Sequence, residues 1–176
     1  MKTIFVTQAY FDALAEKIKG AKTRLAHARL DKSVAIKEDT NGWHDNFAFE
    51  HAMRAERMAE DEIRILSGEL NACQISNGPC ERQKSPDSLC QKDAQCATCS
   101  CVEFWTTVKV INIKTGGTRE LSIVPIGADD AINNIFSYIA PIAAPLMGAK
   151  NGDIVNVTLP SEIIELEVLE IRRFSV

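Results

Sequence analysis

The sequence predicts an α+β protein, with a long antiparallel α-helical coiled-coil hairpin followed by a small, mostly antiparallel β domain. Three observations lead there. Two apolar seams with steps of four and three residues run through 8–38 and 45–73. A short polar connector, Glu38 to His44, lies between them. From Val102 onward the pattern changes to β-branched residues with alternating polarity.

The first seam is Leu14, Ile18, Ala21, Leu25 and Ala28. No proline interrupts it, and Gly20 is the one weak helix former inside, at a cost of roughly 1 kcal/mol against alanine. The second seam is Ala48, Ala52, Ala55, Ala59, Ile63, Leu66, Leu70 and Cys73. Two long helices joined by so short a connector must lie antiparallel. Lys17, Lys19, Lys22, Arg24, Arg29, Lys32 and Lys37 on the first helix face an acid-rich second helix. Two readings of that charge are open: helix-to-helix ion pairs on a solvated face, or a basic stripe for RNA or for acidic protein surface.

Residues 77–101 are rich in Ser, Pro, Gln, Lys, Asp and Cys and almost lack apolar residues. They read as an insertion or linker between a hairpin domain, 1–76 with its tip near 39–46, and a β domain, 102–176. All six cysteines lie between Cys73 and Cys101. Cys96 and Cys99 form a C-x₂-C pair of the kind that gives zinc two thiolates in tetrahedral geometry. Cys80, Cys90 and Cys101 can complete the set. A segment without a core needs a metal or cross-links to order itself. Zinc or another thiophilic metal, disulfides or a redox switch, and free thiols all remain open here. Cys73, on the helix seam, reads more simply as a small core residue.

In the β domain, Thr106–Ile113 and Leu121–Val124 flank the turn signal Thr115-Gly116-Gly117-Thr118. Pro141–Met147 reads as a short helix ended by Gly148. Asp153–Leu159 and Ile164–Ile171 read as a second strand pair, with Ile164, Leu166 and Val168 inward and Glu165 and Glu167 outward.

The whole chain has 176 residues and a formal net charge of −4, which excludes polyanion binding by bulk charge. The N-terminal Met1–Val6 runs straight into polar residues, with no apolar run long enough for a signal core or a membrane span. A cytoplasmic protein without a membrane partner is expected.

Several stretches carry a family resemblance. Pro141-Ile142-Ala143-Ala144-Pro145-Leu146-Met147-Gly148-Ala149-Lys150, then Gly152-Asp153, resembles the signature S-P-I-A-x-x-L-[IL]-G-K-x-x-G-D of the Gre-factor family, with Ala140 where serine is usual. Asn71–Ile75 resembles the close of that family's second helix, and Thr158–Ile171 its final hairpin. The resemblance covers nearly all of the chain except about 77–101. It implies an FKBP-like C-terminal domain that docks on the rim of the RNA polymerase secondary channel, with contacts expected in the signature at Pro141, Leu146, Gly148 and Asp153. It implies a hairpin that enters the channel and meets the transcription complex and its nascent RNA. It implies an accessory factor rather than an enzyme. In the cleaving members, two acids at the tip help to hold a second Mg²⁺ beside the polymerase's own, which suits two-metal phosphodiester hydrolysis by hard oxygen ligands.

The tip departs from the family pattern G-D-x-x-E-N-A-E-Y. It reads Gly42-Trp43-His44-Asp45-Asn46-Phe47-Ala48-Phe49-Glu50. Aligned without gaps, the acidic positions become Trp43 and Asn46; aligned on Asp45-Asn46, one carboxylate survives. Asp45 is therefore the candidate tip carboxylate, with Asp39 near enough in sequence to approach it. Trp43, His44 and Asn46 are candidates for contacting polymerase or RNA, Trp43 by stacking. Phe47 is expected to cap the hairpin core. Two outcomes follow: a factor that stimulates cleavage of backtracked transcripts, or a non-cleaving regulator that occupies the channel and responds to metal or redox state. A prolyl isomerase, the activity of other FKBP-like folds, would need an aromatic-lined pocket built from Phe104, Trp105, Phe136, Tyr138 and Phe174.

Overall fold

The computed structural model describes residues 3–38, 47–76, 101–160 and 162–174. The chain divides into two compact units, one of residues 1–4 and 9–74, the other of 5–8 and 75–176.

The first unit is the helical pair α1 (Gln8–Glu38) and α2 (Phe47–Ala72). At 31 residues, α1 spans roughly 46 Å. Leu14, Ile18, Ala21, Ala28 and Ala35 of α1 are buried, as are Ala52 and Ala59 of α2. The seam is thus largely alanine toward the connector, which brings the helices close and keeps the hairpin thin. Ala48, expected on the seam, is exposed. Phe47 is 76% exposed and caps no core. Cys73 belongs to a strand, not to the last turn of α2.

Two three-residue strands flank the hairpin in sequence. β1 (Ile4–Val6) and β2 (Cys73–Ile75) pair as a two-stranded sheet. Neither strand is long enough for an alternation to show in the sequence. Within the second unit, Thr7 N–H donates to the Ile126 carbonyl at 2.9 Å, and Ser76 N–H donates to that of Val6 at 2.8 Å. Val6 is wholly buried.

The rest of the second unit is a five-stranded sheet. Its strands are β3 (Thr106–Asn112), β4 (Thr118–Val124), β5 (Ile135–Ser137), β6 (Ile154–Thr158) and β7 (Ile163–Arg173). They are ordered β5-β4-β3-β7-β6. All neighbours are antiparallel except β4 and β5, which run parallel with Ser122 opposite Ile135. Burial alternates as expected along β7 at Ile164, Leu166 and Val168, then resumes at Ile171. The break is a register shift opposite Lys109 and Val110: Val168 faces Val110 but Glu170 faces Lys109, so Leu169 is the extra residue of a bulge.

The core of this unit gathers Val108, Val110, Leu121, Ile123, Val157, Leu166, Val168 and Ile171 from the strands. Val102, Ala143, Leu146 and Ala149 close it over one face. The expected helix over 141–147 is turns followed by a short 3-10 segment, Ala144–Leu146, because Pro145 denies the backbone donor that a longer helix needs.

Candidate functional site

The hairpin is held by ions as well as by its seam. Arg24 Nη2 reaches Glu62 at 2.6 Å. Arg29 binds Glu56 at 3.0 Å and Glu60 at 2.8 Å, and Lys32 Nζ binds Glu56 at 2.7 Å. The Lys32 hydrogen bond, then that of Arg29, holds the Glu56 carboxyl below its ordinary range. The first reading of the charge pattern therefore accounts for Arg24, Arg29 and Lys32. Lys32 also sits 5.9 Å from the centre of the Phe49 ring.

Toward the base of the hairpin, Tyr10 donates its hydroxyl to Glu69 Oε1 at 2.7 Å. That bond, then burial, pushes the phenol up to about 12. The Cys73 thiol donates to the Glu69 carbonyl oxygen at 3.2 Å. Burial first, and the Glu69 charge second, push it up. Both act against the thiolate, the form that attacks or binds metal.

The tip residues Asp39, Trp43, His44, Asp45 and Asn46 lie outside the described residues, as do Cys80, Cys90, Cys96 and Cys99. Cys101 is described. It is half-buried, and its thiol lies 3.6 Å from Glu103 Oε1. Among the described residues, no three or more His, Cys, Asp or Glu side chains gather to hold a metal ion.

The signature segment is described throughout. Pro141 is exposed on the surface of the second unit. Leu146 is wholly buried in the core, so its side chain serves packing; the expected docking contact there is replaced by a core role. Gly148 has φ of +83° and Gly152 +87°, left-handed conformations that glycine adopts without strain. Asp153 Oδ2 accepts from Lys150 N–H at 2.8 Å and closes the turn between them. Much of the signature is thus turn and core chemistry; its exposed residues include Pro141, Ala144, Pro145, Lys150 and Asp153, and Ile139 just before it is 57% exposed. Sequence reading missed Ile139, and also Ile132, 93% exposed on a 3-10 turn capped by Asp130. An isolated isoleucine in a loop carries no periodic signal.

The aromatic residues of the second unit pack on one another. Phe104 lies 4.6 Å from Phe5 and 5.0 Å from Tyr138 between ring centroids, and Trp105 lies 5.9 Å from Phe174. Aromatic surface spent on such contacts is not free to line an isomerase pocket.

The sequence matches the family described as transcription elongation factor, GreA/GreB, C-term, over residues 97–173. The transcription elongation factor GreA of Caldanaerobacter subterraneus subsp. tengcongensis is 38% identical over 172 residues, covering 98% of this chain and 99% of that protein. GreA of Pseudomonas aeruginosa is 27% identical over 160 residues, covering 91% of each. Among solved structures, GreA factor homolog 1 (Gfh1) of Thermus thermophilus aligns with 97% of this chain and 99% of its own at 16% identity and a TM-score of 0.39.

Proposed function

Because the chain belongs to the GreA/GreB family of transcription elongation factors, we propose that it acts on RNA polymerase during elongation, with its hairpin entering the secondary channel. The observation that carries this reading is the hairpin itself: two paired helices, the first spanning roughly 46 Å, with an alanine seam that keeps them thin enough for a narrow passage. The second unit is the proposed docking domain, through Pro141 and the surface beside it. The protein is an accessory factor: the chemistry it influences is the polymerase's own.

In this proposal Asp45 is the one tip carboxylate able to help position a second Mg²⁺ at the polymerase centre, where hard oxygen ligands suit that ion. Trp43, His44 and Asn46 are its neighbours toward polymerase or nascent RNA. Transcript cleavage in a stalled, backtracked elongation complex tests this, with wild type beside Asp45→Ala. Stimulated cleavage that the substitution abolishes supports a cleavage factor with a single acid. Polymerase binding without stimulation assigns the protein to the channel-occupying regulators.

The insertion between the units is proposed to bind zinc or a similar thiophilic metal through Cys80, Cys90, Cys96, Cys99 and Cys101. The support is the C-x₂-C spacing and the scarcity of apolar residues in the segment. Metal analysis of the purified chain, beside a Cys96→Ser, Cys99→Ser double variant, is expected to show one bound equivalent lost in the variant. Metal-free wild type purified under reducing conditions contradicts the assignment.

A further inference from the structure

The five-stranded sheet ends in two edges of unlike kind. At one, β5 is three residues long and the backbone of Asp130 covers it. Asp130 N–H donates to the Ile135 carbonyl, and Ile135 N–H to that of Asp130, both at 2.9 Å. At the other edge, β6 (Ile154–Thr158) is bonded to β7 alone among the described residues. Its sequence is Ile-Val-Asn-Val-Thr, with no charge and no proline. Charges, prolines, bulges and covering loops are what keep an edge strand from pairing with another chain. Among the described residues, β6 carries none of these.

The open edge has a definite pattern. In an antiparallel pair, alternate residues turn both backbone groups toward the neighbouring strand. Val168 N–H donates to the Asp153 carbonyl at 2.9 Å, and Leu159 N–H to that of Glu162 at 2.8 Å. Between them the register sets Val155 opposite Leu166 and Val157 opposite Ile164. Asp153, Val155, Val157 and Leu159 therefore face β7, and Ile154, Asn156 and Thr158 turn their N–H and C=O groups outward. All three residues are exposed, Ile154 at 62%. A strand whose outward residues are centred on Asn156 is complementary to itself. About a two-fold axis beside Asn156, a second β6 runs antiparallel, with Asn156 opposite Asn156 and Ile154 opposite Thr158. Each pair exchanges two bonds, so every outward N–H and C=O of both strands finds a partner.

The side chains agree with that register. On the outer face Ile154 comes beside Thr158 of the other copy, whose neighbour on β7 is Ile163, 58% exposed. Such a β-branched row suits a pleated surface. Glu165 lies opposite Asn156 on β7, in the row that crosses the axis. The two Glu165 are three strand spacings apart, roughly 14 Å, which exceeds the screening length of about 8 Å in physiological salt. We propose that the β6 edge joins two copies of this chain into an antiparallel dimer with one continuous sheet. The contact is one strand wide and covers less than the ~1,200 Å² of a standard interface, so the association is weak and concentration-dependent. The proposal does not depend on which partner the hairpin engages.

Sedimentation velocity on the full chain, from about 1 to about 500 µM, reads the equilibrium directly. Wild type is expected to pass from monomer toward dimer. At the upper concentration, hydrogen exchange is expected to slow at the amides of Ile154, Asn156 and Thr158 and to change little at Val155 and Val157, which already face β7. Asn156→Pro removes an N–H that only the dimer uses, and raises the dissociation constant about tenfold or more. Asn156→Lys and Asn156→Glu each set like charges across the axis and stay monomeric alone; mixed in equal amounts, the two variants associate. All three substitutions fall on one exposed edge position, and circular dichroism melts check that each variant folds. A wild type monomeric throughout, a dimer indifferent to Asn156→Pro, or a mixture of the two charged variants that stays monomeric overturns the proposal. Protection of the β6 amides by polymerase, with a wild type that never dimerises, assigns the edge to polymerase and overturns it equally.

Discussion

Tyr10 and Glu69 show how single residues fix the hairpin. A phenol that donates 2.7 Å to a carboxylate is neutral when folded, with its ionisation pushed up to about 12. Its contribution is fully present below the ordinary tyrosine value near 10 and is lost as the pH rises through the folded value. The melting temperature is therefore expected to fall between about pH 10 and 12, and Tyr10→Phe to flatten that fall. At neutral pH the same substitution removes a hydrogen bond to a charged group, worth about 1.5–3 kcal/mol before allowance for partial exposure. Urea titration followed at α-helical wavelengths measures it. Glu56 behaves with the opposite sign: its folded carboxyl is depressed by Lys32 and Arg29, so its stabilisation is present above the ordinary value and lost as the pH falls. In the second unit, Leu146→Ala empties a wholly buried site and is expected to cost about 2–5 kcal/mol by denaturant unfolding. Gly148→Ala meets no atom within 4 Å of its new methyl but must hold φ at +83°, which costs about 1–2 kcal/mol through the backbone alone.

At the scale of elements, the sequence was most readable where the pattern was longest. The long periodic run gave α1 its observed bounds, Gln8–Glu38, and the alternation around Val108 and Val110 gave the central strand. Three-residue strands were not readable: β1, β2 and β5 are too short for a period, and β5 is set by its parallel pairing with β4, a tertiary fact. The bulge at Leu169 was hidden because Leu169 and Ile171 are both apolar, so composition did not show which faced inward. Within the signature, the sequence could not separate Leu146, which is core, from Pro141, which is surface. At this scale, Arg29→Ala removes both of its carboxylate contacts and is expected to loosen the hairpin slightly at low salt. Because Arg29 and Glu60 are 57% and 49% exposed while Glu56 is 15% exposed, thermal melts in high salt should show the difference shrink.

The chain joins an alanine-seamed hairpin to a compact sheet unit, and among the described residues no cysteine lies in the core of that unit. Among the described residues, Cys73 and Cys101 are half-buried and lie outside that core. Chelator treatment of the purified chain is therefore expected to leave the unfolding of the sheet unit unchanged, which hydrogen exchange on β3 and β7 can verify. In the function proposed above, the hairpin is the working end and the sheet unit its anchor. The most direct test of that division is the binding of the full chain to core RNA polymerase, with transcript cleavage and elongation rate followed in the same stalled complexes. The expected result is a saturable complex that alters elongation or cleavage and is weakened by changes at the Pro141 surface. A chain that is folded and monomeric at working concentration, yet neither binds polymerase nor alters the complex, would contradict it.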